Sequence, residues 1–245
     1  VRTEQLRNKD TAMHTVRGQE QKREMMSTTI AAATVTRLAA LPTATISDAL
    51  DSLGLHGTLQ GIAPLTFDFR AVGPAFTVQY EPAGMERGSV GDFLDDVPPG
   101  SIILIDNQGR TDVTVWGGIM TEIAASQGIA GTVINGVCRD VSTSLQQGYP
   151  LFSCGRFMRT GKDRVRLVSV GSGLTINDVR VSPADIICGD ADGALAVPYA
   201  FAERIADIAE RIEETETRII AAVKNGSTLV QARRDLGYHD LQWKS

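Results

Sequence analysis

The sequence predicts an α/β fold built on a mixed sheet, and three observations carry that prediction. First, two continuous apolar runs of strand length, residues 101–106 (SIILID) and 129–134 (IAGTVI), flank a segment of helical period at 119–127. Runs apolar on both faces suit strands covered on both sides, and a helix between them makes a crossover to a parallel neighbour. Second, beyond Cys154 the pattern changes to short strands with turn signals. Third, Pro198 opens one long amphipathic stretch that runs to about residue 224.

Taken in order, residues 1–28 are polar and charged, with RGQEQKRE at 17–24, and read as a flexible N-terminal extension. Residues 29–245 read as a single domain. A helix at 29–41 ends at Pro42, and another begins near Thr45, with Thr45 or Ser47 as the N-cap and Gly54 as the stop. Residues 70–80 alternate as a strand, and 92–97 form a short helical turn closed by Pro98-Pro99-Gly100. After the strand at 101–106, residues 107–112 read as a polar loop. The helix at 119–127 stops at Gly128, the strand at 129–134 follows, and a short helix at 141–147 stops at Gly148 before a third strand at 151–154. This strand–helix–strand–helix–strand series predicts parallel pairing, with a ligand site at the carboxyl ends of the strands. Short strands at 165–170, 174–176, 185–188 and 194–197 follow, the last two joined at the turn signal Asp192-Gly193.

The 245 residues are 42% hydrophobic and 22% charged, with a net charge of −5. That composition is ordinary for a globular chain, and its acidic balance argues against a polyanion binder, so no nucleic-acid partner is expected. No run reaches the ~18 apolar residues of a membrane span, and no apolar leader is visible, so no membrane partner is expected. Cys138, Cys154 and Cys188 are odd in number and form no C-x-x-C pair, which fits buried thiols in a reducing cytoplasm. His14, His56 and His239 are scattered, which argues against a His-based triad or a His-rich metal site.

Three features can carry chemistry. Gly117-Gly118-Ile119 opens a helix and exposes free backbone N–H groups at its positive end, although a bare Gly-Gly also serves simply as a turn. No G-K-[ST] follows and G-x-G-x-x-G is absent, so it is neither a P-loop nor a dinucleotide fingerprint. Arg139-Asp140 stands just past a buried strand. Elsewhere such neighbours are a surface pair; here they can project into a shared cleft, the carboxylate toward Mg²⁺ or Mn²⁺ and the guanidinium toward an oxyanion. Glu216 occupies the gap in an apolar stripe made by Ile205, Ala209, Ile212, Ile219 and Val223. It is either solvated by drift of the stripe or reaches a polar pocket, including one on another subunit.

These stretches resemble the RraA-like family. The resemblance rests on Trp116-Gly117-Gly118 followed after twenty residues by Arg139-Asp140, on the preceding SIILIDNQG, on Thr45-Ile-Ser-Asp-Ala-Leu50, and on the run from Asp190 to Pro198, DADGALAVP. It covers roughly residues 35–230. The family includes 4-hydroxy-4-methyl-2-oxoglutarate/4-carboxy-4-hydroxy-2-oxoadipate aldolases and the regulator of ribonuclease activity A. The resemblance implies an α/β/β/α sandwich with a swivelling-domain-like ββα core, assembled as homotrimers or hexamers with sites between subunits. It also implies a divalent-metal-dependent lyase of the class II aldolase type. Such an enzyme would cleave a 4-hydroxy-2-oxo acid to pyruvate, and the same electron sink would serve oxaloacetate decarboxylation. Carried onto this chain, Asp140 would bind the metal and Arg139 the oxo group and developing enolate. The N–H groups of Gly117, Gly118 and Ile119 would hold the substrate carboxylate, and Glu216 of a neighbouring subunit would hold a metal-bound water. Alternatives within the resemblance are an enolate-forming hydratase or isomerase, and a non-catalytic ribonuclease regulator. Two positions depart from the pattern: Thr143 stands where many members carry an acid, and Gly118 where the aldolase branch carries Asp.

Overall fold

The computed structural model describes residues 32–84, 88 and 90–238. The extension expected at 1–28 lies outside the described residues. Helix α1 covers 32–39. It is followed by α2 (Thr43–Ser52), β1 (Ala63–Pro64), β2 (Ala71–Pro82), β3 (Ile102–Thr114), α3 (Gly118–Ser126), β4 (Gly131–Cys138), α4 (Val141–Gln147) and β5 (Leu151–Arg156). Then come β6 (Val165–Val170), β7 (Leu174–Ile176), β8 (Val179–Val181), β9 (Ile186–Asp190), β10 (Gly193–Val197), α5 (Ala202–Lys224) and α6 (Leu229–Asp235).

The main sheet runs β1-β5-β4-β3-β2-β9-β10, with β6 also on β2. As the sequence predicts, β3, β4 and β5 pair in parallel; β2 joins them in parallel, while β6 and β9 lie antiparallel to it. The sheet is nearly closed. Leu59 N donates to Ala194 O at 2.9 Å and Ala196 N to Gly57 O at 2.8 Å, so the segment leading into β1 returns to β10 at the far end. That approach requires glycine at 57, because a Cβ there would stand 2.3 Å from Ala196 O.

Burial follows this layering. One cluster joins α3, through Met120 and Ala124, to Val78, Ile103, Ile105 and Ile134 on one face of the parallel strands. A second fills the space between sheet faces with Ile102, Leu104, Val133, Phe152, Ile187 and Ala196. A third packs α1, α2 and α5 on the outer face of β9 and β10, through Leu38, Ile46, Leu50, Cys188, Leu195, Ile205 and Ala209. Helices, sheet, sheet and helices are thus stacked in that order, and each apolar face is buried once.

Two local expectations are corrected, and one helix adds to them. The loop expected at 107–112 is part of β3, which leaves its ladder for a bulge between Asp106 and Arg110; Gln108 and Gly109 there have φ values of 57° and 66°. The side-chain cap of α2 is not Thr45 or Ser47. Asp190 supplies it, accepting from Thr43 N (2.8 Å) and from Thr43 Oγ1 (2.6 Å), while Thr45 Oγ1 donates to Glu213. Helix α6 was not foreseen; the Thr228 hydroxyl caps it by accepting from Gln231 N. Among the described residues, no helix is long and apolar enough to cross a membrane.

Candidate functional site

The parallel strands place two loops side by side. At the end of β3, Thr114 donates its hydroxyl to Trp116 O and to Val137 O, both at 2.9 Å, which ties the chain entering α3 to strand β4. Trp116 is buried; its indole N–H donates to Thr121 Oγ1 at 2.9 Å, and its ring stacks on Tyr149 with centroids 6.1 Å apart. At the end of β4, Arg139 N donates to Trp116 O at 3.1 Å. The two loops are therefore braced by backbone bonds before any functional side chain is reached.

The next residue, Asp140, is left-handed at φ 56° and ψ 40°. That conformation is costly for most side chains and is tolerated best by Asp and Asn. It turns the carboxylate back over α3, where Asp140 Oδ2 accepts from Gly118 N at 2.8 Å and lies 3.5 Å from Arg139 Nε. The glycines make room: a Cβ on Gly117 would be 3.0 Å from Asp140 Oδ2 and 3.1 Å from Arg139 Nε. A Cβ on Gly118 would be 3.3 Å from Thr143 Oγ1. Both side chains remain open to solvent, Arg139 at 39% and Asp140 at 47% exposure.

These groups line a cleft of about 230 Å³ that also includes Val90, Thr114, Met120, Thr160 and Gly161. Gly117, Gly118, Ile119, Arg139 and Asp140 thus share one cavity, as expected from the sequence. Thr160 and Gly161 were missed. They reach the cleft through long-range pairing, with Thr114 N donating to Arg159 O and a bridge between Thr114 and Thr160, and nothing in their local sequence marks this. The Gly118 N–H, expected to serve a substrate carboxylate, is occupied by Asp140, so in this arrangement the helix start offers the neighbouring N–H groups instead.

Glu216 does not line this cleft in its own chain. It is half-buried on α5, where burial raises its pKa and the nearby charges of Asp48 and Glu213 raise it further, against the opposing pull of Arg233. Among the described residues, no group of three or more His, Cys, Asp or Glu side chains forms a metal cage. Asp140 is the sole carboxylate bordering the cleft among the described residues. A single solvent-facing carboxylate suits a hard cation that keeps most of its waters, and does not suit zinc or a dedicated calcium cage.

Comparison with known proteins gives this geometry a context. The chain is 41% identical to DlpA of Legionella pneumophila over 198 residues; the match takes in 80% of this chain but only 32% of DlpA, so the chain spans about a third of that protein's length. It is 29% identical over 198 residues to a Halalkalibacterium halodurans protein provisionally named 4-hydroxy-4-methyl-2-oxoglutarate aldolase, covering 81% of this chain and 92% of that one. The crystal structure of an uncharacterised Pseudomonas syringae pv. tomato protein superposes with a TM-score of 0.77 at 46% identity, over 82% of this chain and 96% of the other. The family model described as RraA-like, Aldolase/RraA, matches residues 43–196, which include both cleft loops and the Asp190 cap. By these matches and by its nearly closed mixed sheet, the chain belongs to the RraA-like family.

Proposed function

We propose that the chain is a divalent-metal-dependent lyase that breaks a C–C bond in a short 2-oxo acid and releases pyruvate. The observation that carries this reading is the convergence of Asp140, Arg139 and the start of α3 on one cleft. Asp140 would hold Mg²⁺ or Mn²⁺, with waters completing its shell. When bound, such an ion polarises the carboxylate and 2-oxo oxygens of a chelating substrate. The backbone N–H groups at Gly117 and Ile119 orient the substrate carboxylate. Arg139, pinned beside Asp140, faces the oxo oxygen and stabilises negative charge as the enolate develops, which is where binding energy accelerates the reaction.

The cleft also bears on which bond breaks. Asp140 apart, none of its lining residues is an acid, His, Lys, Tyr or Cys. Loss of CO₂ from a 2-oxo diacid such as oxaloacetate needs no proton removed, so this chain's residues suffice for it. Aldol cleavage of a 4-hydroxy-2-oxo acid needs a base for the C4 hydroxyl. In this reading that base acts through Glu216 of a neighbouring copy in a trimer or hexamer, standing in for the acids absent at Gly118 and Thr143. The related family role of ribonuclease regulation would require neither Arg139 nor Asp140.

The test is pyruvate release in Mg²⁺ from oxaloacetate and from 4-hydroxy-4-methyl-2-oxoglutarate. Turnover that disappears in Asp140→Asn supports the reading. Turnover that survives this substitution, or no turnover on any oxo acid together with tight ribonuclease binding, overturns it.

A further inference from the structure

Three segments of chain border the cleft: the loop entering α3, the loop after β4 and the loop after β5. They are separate in sequence, so nothing in the chain itself fixes their spacing. The Asp140–Gly118 bond that spans the first two is open to solvent, and an exposed hydrogen bond contributes too little net stability to set that spacing by itself. A buried joint has to hold its two ends, and one residue touches all three segments. Thr114, at the end of β3, is 2% exposed and yet lines the cleft.

The polar atoms of Thr114 reach different parts of the cleft. Its N–H donates to Arg159 O at 3.0 Å, and a parallel bridge to Thr160 extends that contact. Its carbonyl faces Gly161, where a Cβ would stand 2.4 Å from the oxygen. Its hydroxyl lies 2.9 Å from both Trp116 O and Val137 O, and accepts from Trp116 N at 3.1 Å. The single hydroxyl proton therefore sits between two carbonyl oxygens, whose partial negative charges would repel across that gap without it. The bond from Arg139 N to Trp116 O spans the same gap. Trp116 stands two residues before Gly118, and Val137 three before Asp140. A change of spacing at the hydroxyl is thus passed over a short lever to both ends of the Asp140–Gly118 bond.

We propose that Thr114 is a positioning residue: its buried hydroxyl sets the separation of the two loops and so fixes the Asp140 carboxylate at the start of α3. It acts through Asp140 and Gly118 rather than on reacting atoms. The consequence for a bound cation rests on the reading of Asp140 given above, whereas the geometric claim does not. Valine at this position would fill the same volume and suit a strand equally well, so only the hydroxyl explains threonine here. Without it, Trp116 N loses its acceptor in a buried place, the two carbonyls lose their shared donor, and the loops part.

Two readouts that do not depend on turnover test this in the full chain: amide hydrogen exchange at Gly118, followed by ¹⁵N NMR without metal, and Mn²⁺ affinity, titrated by EPR. Thr114→Val removes the hydroxyl and keeps the shape, and Thr114→Ser keeps the hydroxyl. Thr132→Val is the control, because that hydroxyl is equally buried, pairs with the Tyr149 hydroxyl at 2.8 Å and lies outside the cleft. In Thr114→Val, Gly118 exchange is expected to quicken about 10-fold and Mn²⁺ to bind about 10-fold more weakly, the scale of one hydrogen bond to a charged group. Thr114→Ser is expected to stay near the wild type in both, and Thr132→Val to lose Tm without moving either. Thr114→Ala carries the same expectation as Thr114→Val and is read in its place should the valine variant not fold. Unchanged Gly118 exchange without the hydroxyl overturns the inference. So does equal quickening in Thr132→Val, since a merely structural role moves both. A wild type that binds no Mn²⁺, with Gly118 exchange responding as expected, overturns the cation reading of Asp140 and supports the positioning role.

Discussion

The Oδ2 atom of Asp140 lies 2.8 Å from the backbone nitrogen of Gly118, although 22 residues separate them in the chain. One oxygen of the carboxylate is thus committed to orienting the side chain, and the bond fixes the α3 start against the loop after β4. Substituting the two partners separates orientation from charge.

Asp140→Asn keeps a residue that tolerates the left-handed backbone and can still accept from Gly118 N, but removes the charge. Activity is expected to fall at least 100-fold with little change in Tm. Asp140→Ala adds backbone strain of about 1 kcal/mol, visible as a lower urea midpoint. Pyruvate release and urea melts on the two variants together check this.

Gly117→Ala probes the space under the carboxylate. Gly117 has φ −149°, which any residue adopts, so the effect is steric rather than conformational. A Cβ 3.0 Å from Asp140 Oδ2 pushes the carboxylate away from its bond to Gly118. The expected result is a roughly 10-fold loss in kcat/KM, about 1.4 kcal/mol of transition-state stabilisation, with stability nearly unchanged.

Trp116→Phe removes the donor to Thr121 from a buried position. The Thr121 hydroxyl retains a longer bond to Gly117 O at 3.3 Å, so the loss is partial. Destabilisation of about 1–3 kcal/mol is expected from the lost bond and the smaller ring, measured by urea unfolding.

Two carboxyls give opposite pH signatures. Asp190 is pushed up by burial, but the hydroxyl and N–H of Thr43, the N–H of Asp192 and the charge of Arg70 together hold it below its ordinary value. It therefore contributes stability above the ordinary Asp range that is lost as pH falls through its depressed folded value, and Asp190→Asn is expected to remove this acid-side slope. Glu216 is raised, so its ionised form detracts from stability at neutral pH, and the deficit vanishes as pH falls through the folded value. Glu216→Gln is expected to raise Tm at neutral pH, with the gain fading in the ordinary Glu range near pH 4.5. Melting curves from pH 3 to about 8, compared with unfolded-state pKa values, check both signs.

The parts of the fold that could be read from the sequence are those whose signal is local. Residues 101–106 and 129–134 announce buried strands because every side chain before the closing Asp106 of the first run, and every one in the second, is apolar or small, and α3 between them has its stop at Gly128. Arg139 and Asp140 could be found because a charged pair directly after a buried strand stands at the end of the sheet. The Asp190 cap could not, since it reaches α2 across 147 residues. Thr160 and Gly161 were equally hidden, because only the β3 pairing brings their loop to the cleft. The strand beyond Asp106 was misread because Asn107 to Asp112 are polar, and a bulge with two positive φ values carries β3 through them. Glu216 shows the remaining gap: its place in the helix stripe is evident from spacing, whereas what it faces depends on α2 and α6.

The near-closure of the sheet has a kinetic meaning. The run β3–α3–β4–α4–β5, which builds both cleft loops, pairs neighbours in the chain, whereas β2 must find β9, joining residues 71–74 to 186–189. The entropy of closing that loop is spent before its contacts form, so the β2–β9 join is expected to be the slow, late step of folding, after the cleft region has its local order. Weakening the closure, for instance at the Gly57–Ala196 contact, then shortens the lifetime of the native state more than it delays its formation.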